Sequence, residues 1–244
     1  MNITYHLLTS PGGREVNEDS VGMAEHGDAK CFILADGLGG HGGGEIASAL
    51  AVSTLRQAFE SYEMNESESW LQAAFNCAQS CVMELQKETG KIHELKTTLT
   101  AVVTEPDRFQ WCHIGDSRIY LFRRGKFYRR TLDHSVPQML VAAGEIKEKE
   151  IRNHPDRNRL LRVIGTEWES PRFELSRLYS VSPGDAILLC SDGFWELVEE
   201  KQMEKLLKRA VSVEEWVQLM EEEVLRNGRD REMDNYSAVA VWLR

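Results

Sequence analysis

The sequence predicts an α+β fold in which antiparallel sheets are covered by helices. Short runs rich in β-branched, aromatic and leucine residues come in sequential groups, and stretches with helical periodicity come in pairs instead of alternating with the strands. Strands are predicted at 29–35 (AKCFILA), 97–104, 109–114, 118–123, 173–180, 185–190 and 236–242. The stretch 97–131 reads as a meander turning at Arg124-Gly125. Helices are marked by apolar residues at i, i+3, i+4 and i+7: Leu55, Ala58, Phe59 and Tyr62; then Leu71, Ala74, Phe75, Ala78, Val82 and Leu85; then Val213, Trp216, Val217, Met220 and Val224. Residues 144–158 (GEIKEKEIRNHPDRN) are charged and broken by Gly144 and Pro155, the pattern of an exposed insertion or lid.

Composition narrows the function classes. The 244 residues carry a formal net charge of −10 and 42% hydrophobic residues, enough for one substantial core. An acidic balance without a basic block argues against nucleic acid or an anionic membrane surface as partner. The N-terminus has no basic stretch followed by an apolar core, and no apolar run approaches a membrane span. Five cysteines, an odd number without a CxxC pair, are expected to be reduced and buried, which places the chain in the cytoplasm. Cys77 and Cys81 stand four apart on a predicted helix, but no matching His or Cys pair completes a metal site.

Where, then, do the excess carboxylates go? Three apolar strands end in aspartate: CFILA at Asp36-Gly37, WCHIG at Asp116-Ser117 and AILLCS at Asp192-Gly193. Asp234 stands just before the last strand. A single Asp-Gly is a turn or a helix cap. Repetition at strand ends changes the reading, because crowded carboxylates repel unless protonated or bridged by cations. Oxygen ligands without His or Cys suit Mg²⁺ or Mn²⁺, so a dinuclear carboxylate site is expected. Arg14 precedes Glu18 and Asp19 in a loop opened by Pro11-Gly12-Gly13; it is either a surface ion pair or a clamp for a phosphate dianion. The glycine-rich run 36–44 lacks the GK[ST] ending of a nucleotide loop; its small residues would let the Gly37 carbonyl approach a metal and set His41 over the site as proton donor.

Together these residues resemble the metal-dependent serine/threonine protein phosphatases of type 2C (the PPM family) in their compact bacterial form. The likeness runs from Arg14 to Val241: RxxNED at 14–19, DGLGGH at 36–41, TTLTAVV at 97–103, HIGDSRIYLFR at 113–123, LDHSVPQ at 132–138, LLRVIG at 160–165, SDGFWELV at 191–198 and DNYSAVAV at 234–241. It implies a four-layer αββα sandwich, two antiparallel sheets flanked by helix pairs, forming a single catalytic domain over 1–244 with the flap of the family at 144–158. It further implies two or three Mn²⁺ or Mg²⁺ ions. Asp36 would bridge two of them, Gly37 would lend its carbonyl to one, and Asp192 and Asp234 would complete the other. Asp19, and Glu18 beside it, would hold metal-bound waters; Asp116 with Asp192 would form a third site; Arg14 would grip the phosphate and His41 would act as general acid.

The implied substrates are phosphoserine and phosphothreonine proteins, with a bacterial Ser/Thr kinase as the opposing partner in signalling. Other readings are a catalytically silent phosphoprotein-binding module on the same fold, and a phosphatase acting on small molecules or on an anti-sigma antagonist. Two departures from the family pattern, the aromatic pair Phe194-Trp195 and Leu132, are expected to shape partner surface without touching a ligand.

Overall fold

A computed structural model of the chain describes residues 3–39, 43–63, 67–92 and 94–243. Its strands are β1 (Ile3–Ser10), β2 (Asp19–His26), β3 (Ala29–Leu38), β4 (Lys96–Thr97), β5 (Leu99–Thr104), β6 (Arg108–Ile114), β7 (Arg118–Arg123), β8 (Lys126–Arg130), β9 (Glu174–Leu175), β10 (Tyr179–Ser180), β11 (Asp185–Cys190) and β12 (Tyr236–Leu243). The helices are α1 (Gly43–Ala58), α2 (Ser67–Thr89), α3 (Val136–Ala142), α4 (Asp192–Trp195), α5 (Glu200–Arg209) and α6 (Val213–Gly228).

Two sheets form, every strand pair antiparallel. The first runs β1-β12-β11-β7-β8; the second runs β10-β6-β5-β3-β2, with β4 on β3 and β9 on β6. Their inner faces meet through Phe32, Leu34, Val102, Ile119, Leu121, Ile187, Leu189, Val239 and Val241. The alternate residues of the same strands face outward into two further cores. Cys31, Ile33 and Ala35 of β3 pack with Ala47, Leu55, Phe75 and Val82 from α1 and α2. Tyr120, Phe122, Leu188 and Ala240 pack with Met203, Leu206, Trp216 and Met220 from α5 and α6. Strands buried on both faces read as unbroken apolar runs, which is why the sequence marks them so plainly.

The predicted 97–131 meander is two hairpins in different sheets: β5 and β6 stay in the second sheet, and the chain crosses at Gly115-Asp116 into β7 and β8 of the first. Gly115 makes the crossing with φ at 104°, where a side chain is strained and a Cβ would meet Thr98 Cγ2 at 2.5 Å. The predicted 173–180 strand is two short bridges on the edge of β6, at Glu174–Leu175 and Tyr179–Ser180. In the 144–158 stretch a 3-10 helix spans Glu148–Asn153 and plants Ile151 in the core under α5 and α6. Ion pairs Arg130–Glu148, Arg152–Glu200 and Arg157–Glu196 tie it down. All five cysteines are free, but only Cys31, Cys112 and Cys190 are buried; Cys77 is exposed and Cys81 half-buried, because they lie on the outer side of α2. Among the described residues no helix is long and apolar enough to cross a membrane.

Candidate metal centre

The fold gathers five aspartates where strands of both sheets end. Asp36 lies near the end of β3, and the antiparallel register sets Asp19, the first residue of β2, directly opposite. Asp192 follows β11, Asp234 precedes β12, and Asp116 sits on the crossing from β6 to β7. Asp36, Asp116, Asp192 and Asp234 line one cleft of about 770 Å³ together with Arg14, Glu18 and Gly37. Asp19 is buried beside Ser191. A larger open groove, about 840 Å³ between α2 and residues 167–172, carries exposed side chains of both charges, such as Glu84, Lys87, Glu167 and Arg172, and has no such convergence.

Each carboxylate is aimed by its neighbours. The Asp36 N–H donates to Thr98 Oγ1 (2.9 Å), and its carbonyl accepts from Thr98 N–H (2.8 Å) and the Thr97 hydroxyl (2.9 Å). Thr98 Oγ1 also lies 2.8 Å from Ser117 Oγ, joining the end of β3 to the Asp116 turn. Ser191 donates to Asp19 Oδ2 (2.7 Å) while accepting from Ser237 N–H (2.9 Å), so the residue before Asp192 is locked to both Asp19 and β12. A backbone hydrogen bond from Gly44, at the start of α1, reaches the Glu18 carboxylate. At Gly37 a Cβ would fall 2.3 Å from Gly44 O and 2.6 Å from Glu18 O, so only glycine fits between those two chains.

Arg14 faces Asp234 with two nitrogens, Nε and Nη2, each 3.2 Å from a carboxylate oxygen, and both side chains are about half exposed. The structure therefore makes both sequence readings of Arg14 compatible: it is an ion pair, and it stands in the wall of the cleft. His41 lies outside the described residues.

The electrostatics are those of negative charge forced together. Burial, reinforced by the other carboxylates, pushes Asp36 and Asp116 well above the ordinary range. Asp19 is pushed up to about 7, first by burial and then by Asp192 and Asp234, against the pull of hydrogen bonds from Ser237 and Ser191. Asp192 rises to about 6 through burial and then Asp234. Glu18 is raised by burial and by Asp234, and nearby Glu196 to about 7 by burial and Asp192. Asp19 Oδ1 is buried with no hydrogen-bond donor. An orphaned buried oxygen within an all-oxygen donor set of this charge fits hard divalent cations, which replace the missing protons and donors together.

The sequence reading overlooked three supports. Trp195, 2% exposed, donates from Nε1 to the Asp116 carbonyl at 3.0 Å, and Phe194 is fully buried. The aromatic pair therefore makes no partner surface, because the short helix α4 turns both rings inward, and Trp195 does touch the site. Arg118, equally buried, stacks on the Trp195 ring at 3.4 Å and is held by both oxygens of Asp133 (2.8 and 2.7 Å). Asn235 accepts from Glu18 N–H (2.9 Å) and donates to the carbonyls of Pro11 (3.0 Å) and Val16 (2.9 Å), stapling the Arg14 loop to β12. Its place beside Asp234 in DNYS was the available signal.

The sandwich, the carboxylate cleft and the facing arginine define a phosphatase built around oxygen-ligated metals, and over residues 13–228 the chain matches the family of protein phosphatase 2C. It belongs to that family and is by class a hydrolase of phosphate monoesters. The chain is similar to the serine/threonine phosphatase stp of Listeria innocua, 34% identical over 200 residues that cover 80% of this chain and 79% of that one. Among solved structures it is similar to the Mycobacterium tuberculosis serine/threonine phosphatase PstP/Ppp, with TM-score 0.87, 32% identity and 99% of each chain covered. It is also similar to the catalytic domain of PstP in complex with two manganese ions, with TM-score 0.84, 30% identity and coverage of 98% and 97%.

Proposed function

We propose that this chain hydrolyses phosphoserine and phosphothreonine in proteins by direct attack of water, using two or three Mn²⁺ or Mg²⁺ ions. The convergence of Asp36, Asp116, Asp192 and Asp234 on one cleft walled by Arg14 carries this reading. Asp36, the Gly37 carbonyl, Asp192 and Asp234 would hold the two core ions, Asp19 and Glu18 their waters, and Asp116 with Asp192 a third ion. When bound, such ions lower the pKa of water and neutralise the oxygens of the transferring phosphoryl group. The protein's own work is alignment. Arg14 can leave Asp234 for a phosphate dianion, offering two donors in the fork geometry that phosphate accepts. The Thr97, Thr98, Ser117 and Ser191 bonds hold the carboxylates still, so little reorganisation is needed during reaction. His41 is assigned proton donation to the leaving alkoxide from its place in DGLGGH.

The names of the relatives support a serine/threonine phosphatase; removal of phosphate from Ser and Thr calls for a Ser/Thr kinase as the opposing activity, and we assign the chain to such a signalling pair on that chemistry alone. A cytoplasmic setting agrees with five free thiols. No observation favours a silent binding module, since the carboxylate set is complete. The test is purified protein with Mn²⁺ or Mg²⁺ on p-nitrophenyl phosphate and a phosphothreonine peptide, with EDTA and Asp36→Asn as controls. Both substrates should be hydrolysed, and both controls should abolish it. Intact substrates in the presence of metal would reject the proposal, and hydrolysis confined to sugar phosphates would move the enzyme to small molecules.

A further inference from the structure

His113, His134 and Glu174 form a second cluster of ligating side chains, one atom from each lying within 4.8 Å of the others. The ring geometry argues against a metal there. The two imidazoles are stacked, centroids 4.7 Å apart and planes 12° from parallel. A nitrogen lone pair lies in its ring plane, so no point close to both rings lies in both planes. The nitrogens have other uses. His113 Nε2–H donates to Leu132 O at 2.9 Å, and burial pushes this ring down to about 4, so it is neutral. His134 Nδ1 accepts the Gly115 N–H at 3.1 Å, while the His134 N–H donates to Gly115 O at 2.9 Å. An accepting Nδ1 puts the proton on Nε2, which lies 3.2 Å from Glu174 Oε1.

We propose that Glu174, His134 and the Gly115 peptide form a relay that fixes the turn delivering Asp116 to the cleft, making His134 a positioning residue for the third cation site. The proposal rests on the reading of Asp116 as a metal ligand. The Gly115 N–H fixes the Nε2–H tautomer, the Glu174 carboxylate favours that proton by its charge alone, His113 holds the ring flat, and His134 grips both polar groups of Gly115. On the other side the turn is held by Trp195 through the Asp116 carbonyl. The His134 carbonyl also accepts from Leu161 N–H at 2.8 Å, and the neighbouring Leu160 lines the cleft. Residue 134 thus ties its ring to the Asp116 turn and its backbone to the rim.

The experiment measures the Mn²⁺ dependence of p-nitrophenyl phosphate hydrolysis, with melting temperature alongside. His134→Phe keeps a flat ring and removes the acceptor, leaving a buried N–H unpaired; the half-saturating Mn²⁺ concentration should rise about ten-fold, with a smaller change in kcat at saturating metal. His134→Asn returns an acceptor at the Nδ1 position and should recover to within about three-fold of wild type. Equal impairment of Phe and Asn, or an unchanged Mn²⁺ dependence in His134→Phe, overturns the relay. Should His134→Phe not fold, Glu174→Ala, at a half-exposed carboxylate, should shift the Mn²⁺ requirement by about three-fold in the same direction, and no shift overturns the relay. Asp116→Asn separates the two claims: if it leaves the Mn²⁺ dependence unchanged, the ligand role of Asp116 fails. If it alters that dependence while His134→Phe does not, the relay alone fails. Stabilisation by one equivalent of Zn²⁺ that is lost in His134→Phe would make the cluster a metal site and overturn the proposal.

Discussion

Asp19→Asn should stabilise the metal-free protein while weakening its hold on metal, and the size of the effect follows from burial. The Asp19 carboxyl titrates near 7 in the folded chain against 3.8 in the unfolded one, a difference of about 3 pH units or a ceiling of about 4 kcal/mol. The folded value is raised, so the protonated carboxyl stabilises the fold below about pH 4, and that contribution is lost as pH rises through about 7. Between pH 5 and pH 8 the loss amounts to about 2 to 3 kcal/mol in wild type and is absent in Asn, which keeps an acceptor for Ser191 and puts an amide where Oδ1 has no donor.

Groups away from the cluster, including the buried His113, are common to both proteins, and Asp36, which the Asp19 charge helps to raise, relaxes in the variant in the same direction, so the difference reports Asp19 and its coupling to Asp36. At about 2 to 4 °C per kcal/mol for a chain of this length, the melting temperature of EDTA-treated Asp19→Asn should overtake wild type by about 5 to 10 °C between pH 5 and pH 8. The assay is thermal unfolding by circular dichroism at those two pH values, repeated with Mn²⁺. Added Mn²⁺ should raise the melting temperature of wild type more than that of the variant. A difference independent of pH, or a variant less stable than wild type at pH 8, would refute the assignment of a strained carboxylate at Asp19.

Three further outcomes are expected. Asp133→Asn takes from the buried Arg118 its bidentate partner and leaves it Glu200 at 3.9 Å; urea unfolding should show a loss of about 3 kcal/mol, and a loss below about 1 would mean that Glu200 suffices to hold the guanidinium. Gly37→Ala drives a methyl against Gly44 O and Glu18 O, costing about 1 to 3 kcal/mol and most of the activity; unchanged kinetics would show that the Gly37 carbonyl is not needed near a cation. Arg14→Ala removes a half-exposed pair, so melting should move by less than about 2 °C while kcat/KM falls about ten-fold. If both stay at wild-type values, Arg14 does not bind phosphate.

Much of the site was legible because buried strands advertise their ends. Asp36, Asp116 and Asp192 each follow an apolar run, and a run buried on both faces has nowhere to stop except at the rim of a core. β1 (ITYHLLTS) and β2 (DSVGMAEH) gave no such signal: each lies at a sheet edge, half-buried, with polar and apolar residues mixed. α5 offers few apolar positions, and α4 is a single turn. The switch of sheets at Gly115 was invisible for another reason, since one left-handed glycine between two good strands looks the same whether the chain turns back or crosses over. Trp195 and His134 were hidden because their parts are played through backbone atoms of other residues, and spacing along the chain does not encode such contacts.

The placement of the carboxylates across the seam has a mechanical consequence. Asp19 and Asp36 ride on one sheet, Asp192 and Asp234 adjoin the other, and the sheets touch here through interdigitated side chains such as Phe32, Leu34, Leu189 and Val239. Carboxylate spacing is therefore a read-out of how the two slabs are stacked. A cation shared between Asp36 and Asp192 would act as a rivet through both slabs. Conversely, a change of volume at Leu34 or Val239 that slides one slab by a fraction of an ångström would detune the rivet hole without altering a single polar residue. In this chain the alignment tolerance of the catalyst is set by hydrocarbon.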